Sequence, residues 1–410
     1  MPPEVAAENA AIDAPGGEGP APGAVSVGTL QARDQSPAHG RGGRARRFRQ
    51  WFLFWPVVAY LAARVATFAI LLIVDMADHQ SFAGRLGRWD GAWFLRAAEY
   101  GWPRHLPMTN GHVAGNTIAF FPVLPLAIRW LSSATTLPHL GVGVAISLTT
   151  GLMAVVSVGL LVRRFAGYEK ATRATLLFAV FPGSFAFSLV YSEGIVITCV
   201  ALGLLALLGR RWWLAGLLGL LATATAPIAL AFVLSCAWCA GWAAWRERSV
   251  RPLVAPLLAP LGFLAYMGWV WRHTGVLDAW RLTEAGGWRS SVSLSYPFHI
   301  LGTFLRNPLG PTETGQILWI GTVVAVVGAV LAIRQRQPAP VLIYGLGAGA
   351  LAAISAPVGL RPRFILLAFP LVVAYGTRLR GRSYTAAVVV SAALLAAMSA
   401  LEFVSWAVFP

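Results

Sequence analysis

Lysine is almost missing from this chain. Lys170 is the only one, so 31 of the 32 basic residues are arginine. Acids number 16, and the formal net charge is +16. Charge of either sign is scarce, at 12% of residues against 57% hydrophobic. A soluble globular domain does not carry that much apolar surface. Cysteine is scarce too. Cys199, Cys236 and Cys239 all fall in apolar runs. Cys236-Ala-Trp-Cys239 has C-x-x-C spacing but no charged neighbour, and reads as packed small residues rather than a redox pair. The histidines lack metal-ligand spacing. Residues 51–74 are too long for a signal peptide and lack a small-residue cleavage site, so they are kept as a span.

What the chain has instead is a series of apolar runs, each about 20 residues long. They are continuous rather than alternating, which excludes a barrel and leaves an all-α, polytopic integral membrane protein. The arginines cluster between the runs. That is the distribution of a multi-pass protein with its basic loops inside, and it argues against nucleic acid as a partner.

Residues 1–40 are mostly Ala, Gly, Pro, Glu and Ser and cannot form a core. Residues 1–48 are expected to be a disordered cytoplasmic tail, and 49–410 a transmembrane domain. Arg41, Arg44, Arg46, Arg47 and Arg49 place the N-terminus inside. Eleven spans follow by hydropathy and charge: 51–74, 141–162, 174–189, 194–208, 212–226, 227–245, 253–271, 314–333, 338–357, 364–376 and 384–406. Arg64 lies mid-way along the first and must face protein or a wet cavity, either as a structural partner or as a ligand for lipid phosphate. The apolar piece 118–131 is short and holds two prolines. As a span it would put every later arginine cluster on the wrong side, so it reads as an interfacial or re-entrant helix in the first outer loop.

That loop also holds the stretch from Arg85 to Gly101. On a helical wheel Arg85, Arg88, Arg96 and Glu99 share one face, and Trp93, Phe94, Ala97 and Gly101 the other. Asp90 sits in the middle of the apolar face. An unpaired carboxylate there costs several kcal/mol of desolvation. It is either a functional group or the N-cap of a helix beginning at Gly91. The helix itself suits a membrane surface.

On this topology the polar residues outside the arginine clusters gather on the outer side: Asp90, Glu99, Asn116, Tyr191-Ser192-Glu193, and Arg361 with Arg363. Ser192-Glu193 also suits a helix start. Arg361 and Arg363 also suit interfacial anchoring, although an outer arginine pair runs against the charge rule and matches phosphate oxygens. Together, a carboxylate and an arginine pair at an outer surface suit a lipid-phosphate donor and a hydroxyl acceptor.

The ordered set resembles the PIG-V-like family, GPI mannosyltransferase 2 and its bacterial relatives, within the GT-C glycosyltransferases. The residues that carry the resemblance are Arg88-Trp89-Asp90-Gly91-Ala92-Trp93-Phe94 with Gly101-Trp102, then Phe120-Phe121-Pro122-Val123-Leu124-Pro125. Next come Phe181-Pro182-Gly183-Ser184 through Tyr191-Ser192-Glu193, and Arg363-Phe364 before Phe369-Pro370. The chain departs from the family at Ala222-Thr223-Ala224-Thr225-Ala226-Pro227, where relatives usually have a Thr-Arg-Pro-like run.

The resemblance implies a GT-C-like helical bundle with interfacial helices in the first outer loop. It implies transfer of a hexose, mannose first, from a polyprenyl-phosphate sugar to a lipid or protein acceptor at an extracytoplasmic site. Asp90 would be the general base, and Arg363 with Arg361 would hold the donor phosphate. Trp89, Trp93, Asn116, Tyr191 and Glu193 would contact substrate. A lipid monophosphate leaving group does not need a metal, so no obligatory metal or other cofactor is expected. A transporter needs paired polar residues deep in several spans, which apart from Arg64 these lack. A non-catalytic partner of a glycosyltransferase stays open, as do arabinose and glucose as the sugar.

The topology is testable in intact cells. Cysteines introduced at Gly115 and Gly310 are expected to react with a membrane-impermeant thiol reagent, and those at Gly167 and Gly381 to stay unlabelled. Labelling at Gly167 would make 118–131 a true span and move the outer cluster off the outer face.

Overall fold

The computed structural model describes residues 51–78, 82–307 and 313–404. The tail expected over 1–48 lies outside the described residues. The all-α expectation holds. Among the described residues the only strands are two short antiparallel pairs, Met108–Thr109 with His112–Val113 and Ser291–Val292 with Ser355–Ala356. The first pair turns at Asn110-Gly111, both with positive φ, as a two-residue hairpin requires.

Five helices are long and apolar enough to cross a membrane: Phe54–Met76, His139–Ala166, Pro227–Glu247, Gly315–Arg334 and Gly381–Leu401. Each corresponds to an expected span. The number rises to seven if two bent helix pairs each count once. One pair, Arg251–Leu258 with Leu261–Thr274, bends by 40° where span 253–271 was expected. Pro260 at the break cannot supply a backbone donor. Trp212–Thr223 and Ala339–Ile354 are apolar but shorter. Span 364–376 is divided between Pro362–Leu367 and Phe369–Arg378.

Span 174–189 is not one helix. Tyr168–Ala179 stops because Pro182 disfavours helix in the residue before it. A buried 3-10 helix, Pro182–Ser188, follows, and the chain turns by 111° into Glu193–Leu208. That helix is apolar all round and almost wholly buried, as a central helix must be. It packs along His139–Ala166.

Arg64 explains how irregular backbone survives here. Its Nη1 donates to the Ser184 carbonyl and to Ser188 Oγ at 2.8 Å, and its Nη2 donates to Ser184 Oγ at 3.0 Å. Its guanidinium also stands 5.2 Å from the Tyr60 ring centre. Of its two expected roles, the structural one is what the geometry supports. Broken backbone at membrane depth is tolerated where side chains satisfy it.

The piece 118–131 is not a span. It is a 3-10 turn, Thr117–Ala119, followed by Val123–Thr135. Thirteen residues reach about 20 Å, short of a hydrocarbon core of about 30 Å. Tyr266 Oη donates to the carbonyls of Ile118 and Phe120, and Trp102 Nε1 donates to that of Phe120. Arg129 donates to the carbonyls of Ala97 and Ala98, tying Val123–Thr135 to Asp90–Tyr100.

Gly183 sets where the late helix Pro362–Leu367 can sit. A β-carbon at Gly183 would collide with the backbone of Pro362 and Arg363, which cannot swing aside as a side chain can. Gly183→Ala is expected to destabilise by about 1–3 kcal/mol, read as a lower unfolding temperature in detergent. Gly241→Ala, where a β-carbon meets nothing within 4 Å, should be neutral or slightly stabilising.

Candidate active site

The helix expected over 85–101 is two helices, Phe82–Leu86 and Asp90–Tyr100. Trp89 between them has φ 57°, a strained conformation for a bulky residue. The Arg88 guanidinium lies 5.1 Å from the Trp89 ring centre. The break dissolves the single charged face of the wheel. Arg85 turns inward to Asp75 at 3.8 Å and is buried. Phe94 and Ala97 pack inside as expected, and Ala98 is buried with them. Trp89, not Asp90, occupies the N-cap position, and no side chain caps the helix. Asp90 is the first helical residue, and its carboxylate points elsewhere.

It points at Arg363. Arg363 Nη1 donates to Asp90 Oδ2 at 2.6 Å, and the same nitrogen lies 3.7 Å from Glu193 Oε1. Three segments separated by up to 273 residues meet at one guanidinium. The Arg363 and Glu193 side chains are 12% and 7% exposed, while Asp90 is 26% exposed. Asp90 is therefore the most exposed member of the set. The guanidinium also stands 5.1 Å from the Tyr191 ring centre and 4.7 Å from that of Phe364. Burial alone would lower the Arg363 pKa, yet the Asp90 carboxylate, with Tyr191 and Glu193, carries it above its usual range. Arg363 Nε is buried without a hydrogen-bond partner, as is Glu193 Oε2. One edge of the guanidinium is thus still unused.

The remaining expected residues divide. Tyr191 is buried beneath Arg363, with its backbone N–H and carbonyl both bonded to Ser147 Oγ. Asn116 is buried, and its amide is engaged by the protein. Nδ2 donates to the Ala114 carbonyl and to Thr283 Oγ1, and Oδ1 accepts from the Ile118 N–H. These bonds tie Thr117–Ala119 to the Ala279–Gly287 helix. Arg361 is buried at the N-cap position of Pro362–Leu367, where its charge acts on Tyr296. Trp93 is half-buried in an aromatic group, stacked 6.1 Å from Phe120 and edge-on to Trp288 at 5.3 Å.

Two residues at the site went unread as site residues. Glu284 and Trp288 belong to the stretch between the expected spans 253–271 and 314–333, a second outer segment on the expected topology, where Ala279–Gly287 forms a short helix. Burial first, then the charge of Asp90, pushes Glu284 up to about 7. The available signal was Gly286-Gly287 beside Trp288. Those glycines let the helix approach Val113 and Gly115 backbone to backbone. Among the described residues no group of three or more His, Cys, Asp or Glu is placed to hold a metal ion.

No family model matches the chain. Among curated proteins it is similar to GPI mannosyltransferase 2 of Drosophila pseudoobscura pseudoobscura, at 32% identity over 126 residues. The match covers 28% of this chain and 25% of that protein, so the chain spans a quarter of the relative it matches. Among solved structures it is similar to ArnT from Cupriavidus metallidurans bound to undecaprenyl phosphate. The TM-score is 0.51 at 15% identity, over 82% of this chain and 62% of that one. A weaker likeness, TM-score 0.46 at 15% identity, covers 85% of this chain and 56% of the Archaeoglobus fulgidus oligosaccharyltransferase in its apo form. The ArnT likeness shows a GT-C fold. The PIG-V-like resemblance read from the motifs agrees with the curated match.

Removing Arg363 leaves two carboxylates uncompensated. Arg363→Ala is expected to cost about 3–5 kcal/mol of stability, the scale of breaking a buried pair. Adding Glu193→Gln should recover part of the loss by removing one orphaned charge. Thermal unfolding of both variants in detergent checks this, and no recovery in the double variant would deny that charge is the cause.

Proposed function

We propose that the chain is a membrane glycosyltransferase. It moves a hexose, mannose first, from a polyprenyl-phosphate sugar to an acceptor hydroxyl on the outer face. The N-terminal tail is cytoplasmic and residues 49–410 form the catalytic domain. The observation that carries the reading is the contact of Arg363 with Asp90 and Glu193 in one partly open cluster. The GT-C fold, the name of the curated relative and the undecaprenyl phosphate in the ArnT structure support it.

The chemistry follows from the geometry. Arg363 uses Nη1 toward the carboxylates, and its remaining N–H groups form a fork suited to two phosphate oxygens. Asp90 and Glu193 hold that fork in place before the donor arrives. The acceptor hydroxyl attacks the anomeric carbon, the new C–O bond forms, and the bond to the phosphate oxygen breaks with its electron pair. Asp90, the most open of the three, takes the hydroxyl proton. Arg363, with Arg361 behind it, stabilises the second negative charge that develops on the departing lipid phosphate. Phosphate also draws Arg363 away from Asp90, which strengthens Asp90 as a base once the donor is bound.

The assay is transfer of radiolabelled mannose from polyprenyl-phosphate mannose in membranes containing the protein. Asp90→Asn should keep the fold and lose about 100-fold or more in turnover. Arg363→Lys should retain far more donor use than Arg363→Ala, while falling short of wild type. A fully active Asp90→Asn would remove the base from this position and leave a binding or scaffold protein.

A further inference from the structure

The Ala279–Gly287 helix presents one face to the first outer loop. Positions 280, 283, 284, 287 and 288 recur at helical spacing on that face. Trp280 packs 6.2 Å from Phe121 and 5.9 Å from Phe263. Thr283 Oγ1 accepts from Asn116. Gly287 lies against the backbone of Gly115. Each of these docks the helix. Glu284 and Trp288 remain, and both are half-buried. Trp288 stands edge-on to Trp93 at 5.3 Å and to Phe120 at 5.5 Å.

The Glu284 backbone carbonyl accepts from the Trp288 and Ser290 N–H groups, but its carboxylate makes no hydrogen bond or ion pair with any described residue. Arginine is close by in sequence, but Arg281 pairs with the exposed Asp278, and Arg289 is exposed. Trp288, one turn from Glu284, touches Trp93, which lies one turn from Asp90, so the two carboxylates belong to one neighbourhood. A half-buried carboxylate without a cation costs stability, and more so within reach of a like charge. In a chain with twice as many bases as acids, that arrangement is suited to a ligand. The ligand's chemistry is restricted. Two neighbouring carboxylates repel an anion, so the lipid phosphate belongs with Arg363. A hydroxyl-rich, uncharged group suits them, because hydroxyls donate to carboxylate in short, charge-assisted hydrogen bonds. The indole beside it offers an apolar face to C–H groups.

We propose that Glu284 and Trp288 form a pyranose subsite beside Asp90, the carboxylate accepting from vicinal sugar hydroxyls and the indole lying along the ring's C–H face. This rests on the reading of the donor as a polyprenyl-phosphate hexose. The second outer segment then reads the sugar, while Arg363 reads the phosphate.

Two lipids separate these roles: polyprenyl-phosphate mannose and bare polyprenyl phosphate, titrated onto the full chain in nanodiscs. Glu284→Gln should weaken the mannosyl lipid about tenfold and leave the bare lipid within about twofold. Trp288→Ala should do the same, and Trp288→Phe should recover most of the loss. Thr283→Val is the folding control. It removes a docking hydrogen bond and should lower the unfolding temperature without changing the ratio of the two affinities. Equal weakening of both lipids by Glu284→Gln would reduce Glu284 to a structural residue and overturn the subsite, as would no weakening of either. Wild-type protein that binds the bare lipid but gains nothing from the mannose also overturns it, while leaving the phosphate reading intact. If neither lipid binds, the donor reading fails and the subsite falls with it.

Discussion

One guanidinium holds the candidate site together. Arg363 neutralises Asp90 and Glu193, which belong to the short helix Asp90–Tyr100 and to the start of a buried central helix. Neither carboxylate has another cation within ion-pair distance among the described residues. Moving buried charge out of water is costly unless it is well paired, so this contact fixes three segments at once. Much of the nearby packing serves it. Gly183 lets the backbone of Pro362–Arg363 come close, Tyr191 lies under the guanidinium, and Arg64 braces the Pro182–Ser188 turn that leads to Tyr191.

The class of the fold was legible because hydropathy and arginine clustering are one-dimensional signals. Five expected spans are single long helices for that reason. The breaks were harder. Pro182 marks where Tyr168–Ala179 must end, but not that the next seven residues form a 3-10 turn inside the protein. The helical wheel over 85–101 assumed regular backbone, and Trp89 with positive φ is not regular. The N-cap alternative for Asp90 failed at the same residue.

Asp90, Glu193 and Arg363 were legible as a set, because each is a polar residue away from the arginine clusters that the charge rule puts on one expected side of an otherwise apolar chain. Their pairing was not, since nothing in a sequence says which charges touch. The partners of Asn116 were equally out of reach, since Thr283 lies 167 residues away. Glu284 escaped notice because the segment around it is polar enough that one more acid carries no contrast. Its surroundings became distinctive only once Gly286 and Gly287 brought it against the first outer loop.

Arg64 has a consequence for how the chain is assembled. The first span leaves the ribosome with a charge near its middle, while the hydroxyls and the carbonyl that satisfy it lie 120 and 124 residues later. Until they arrive, that helix cannot rest at its final depth without water or lipid headgroups following the arginine inward. Insertion of this protein is therefore not a sum of independent helices taken in order. The first helix waits for the third expected span, 174–189, to be made, and the membrane around it stays locally wet until then.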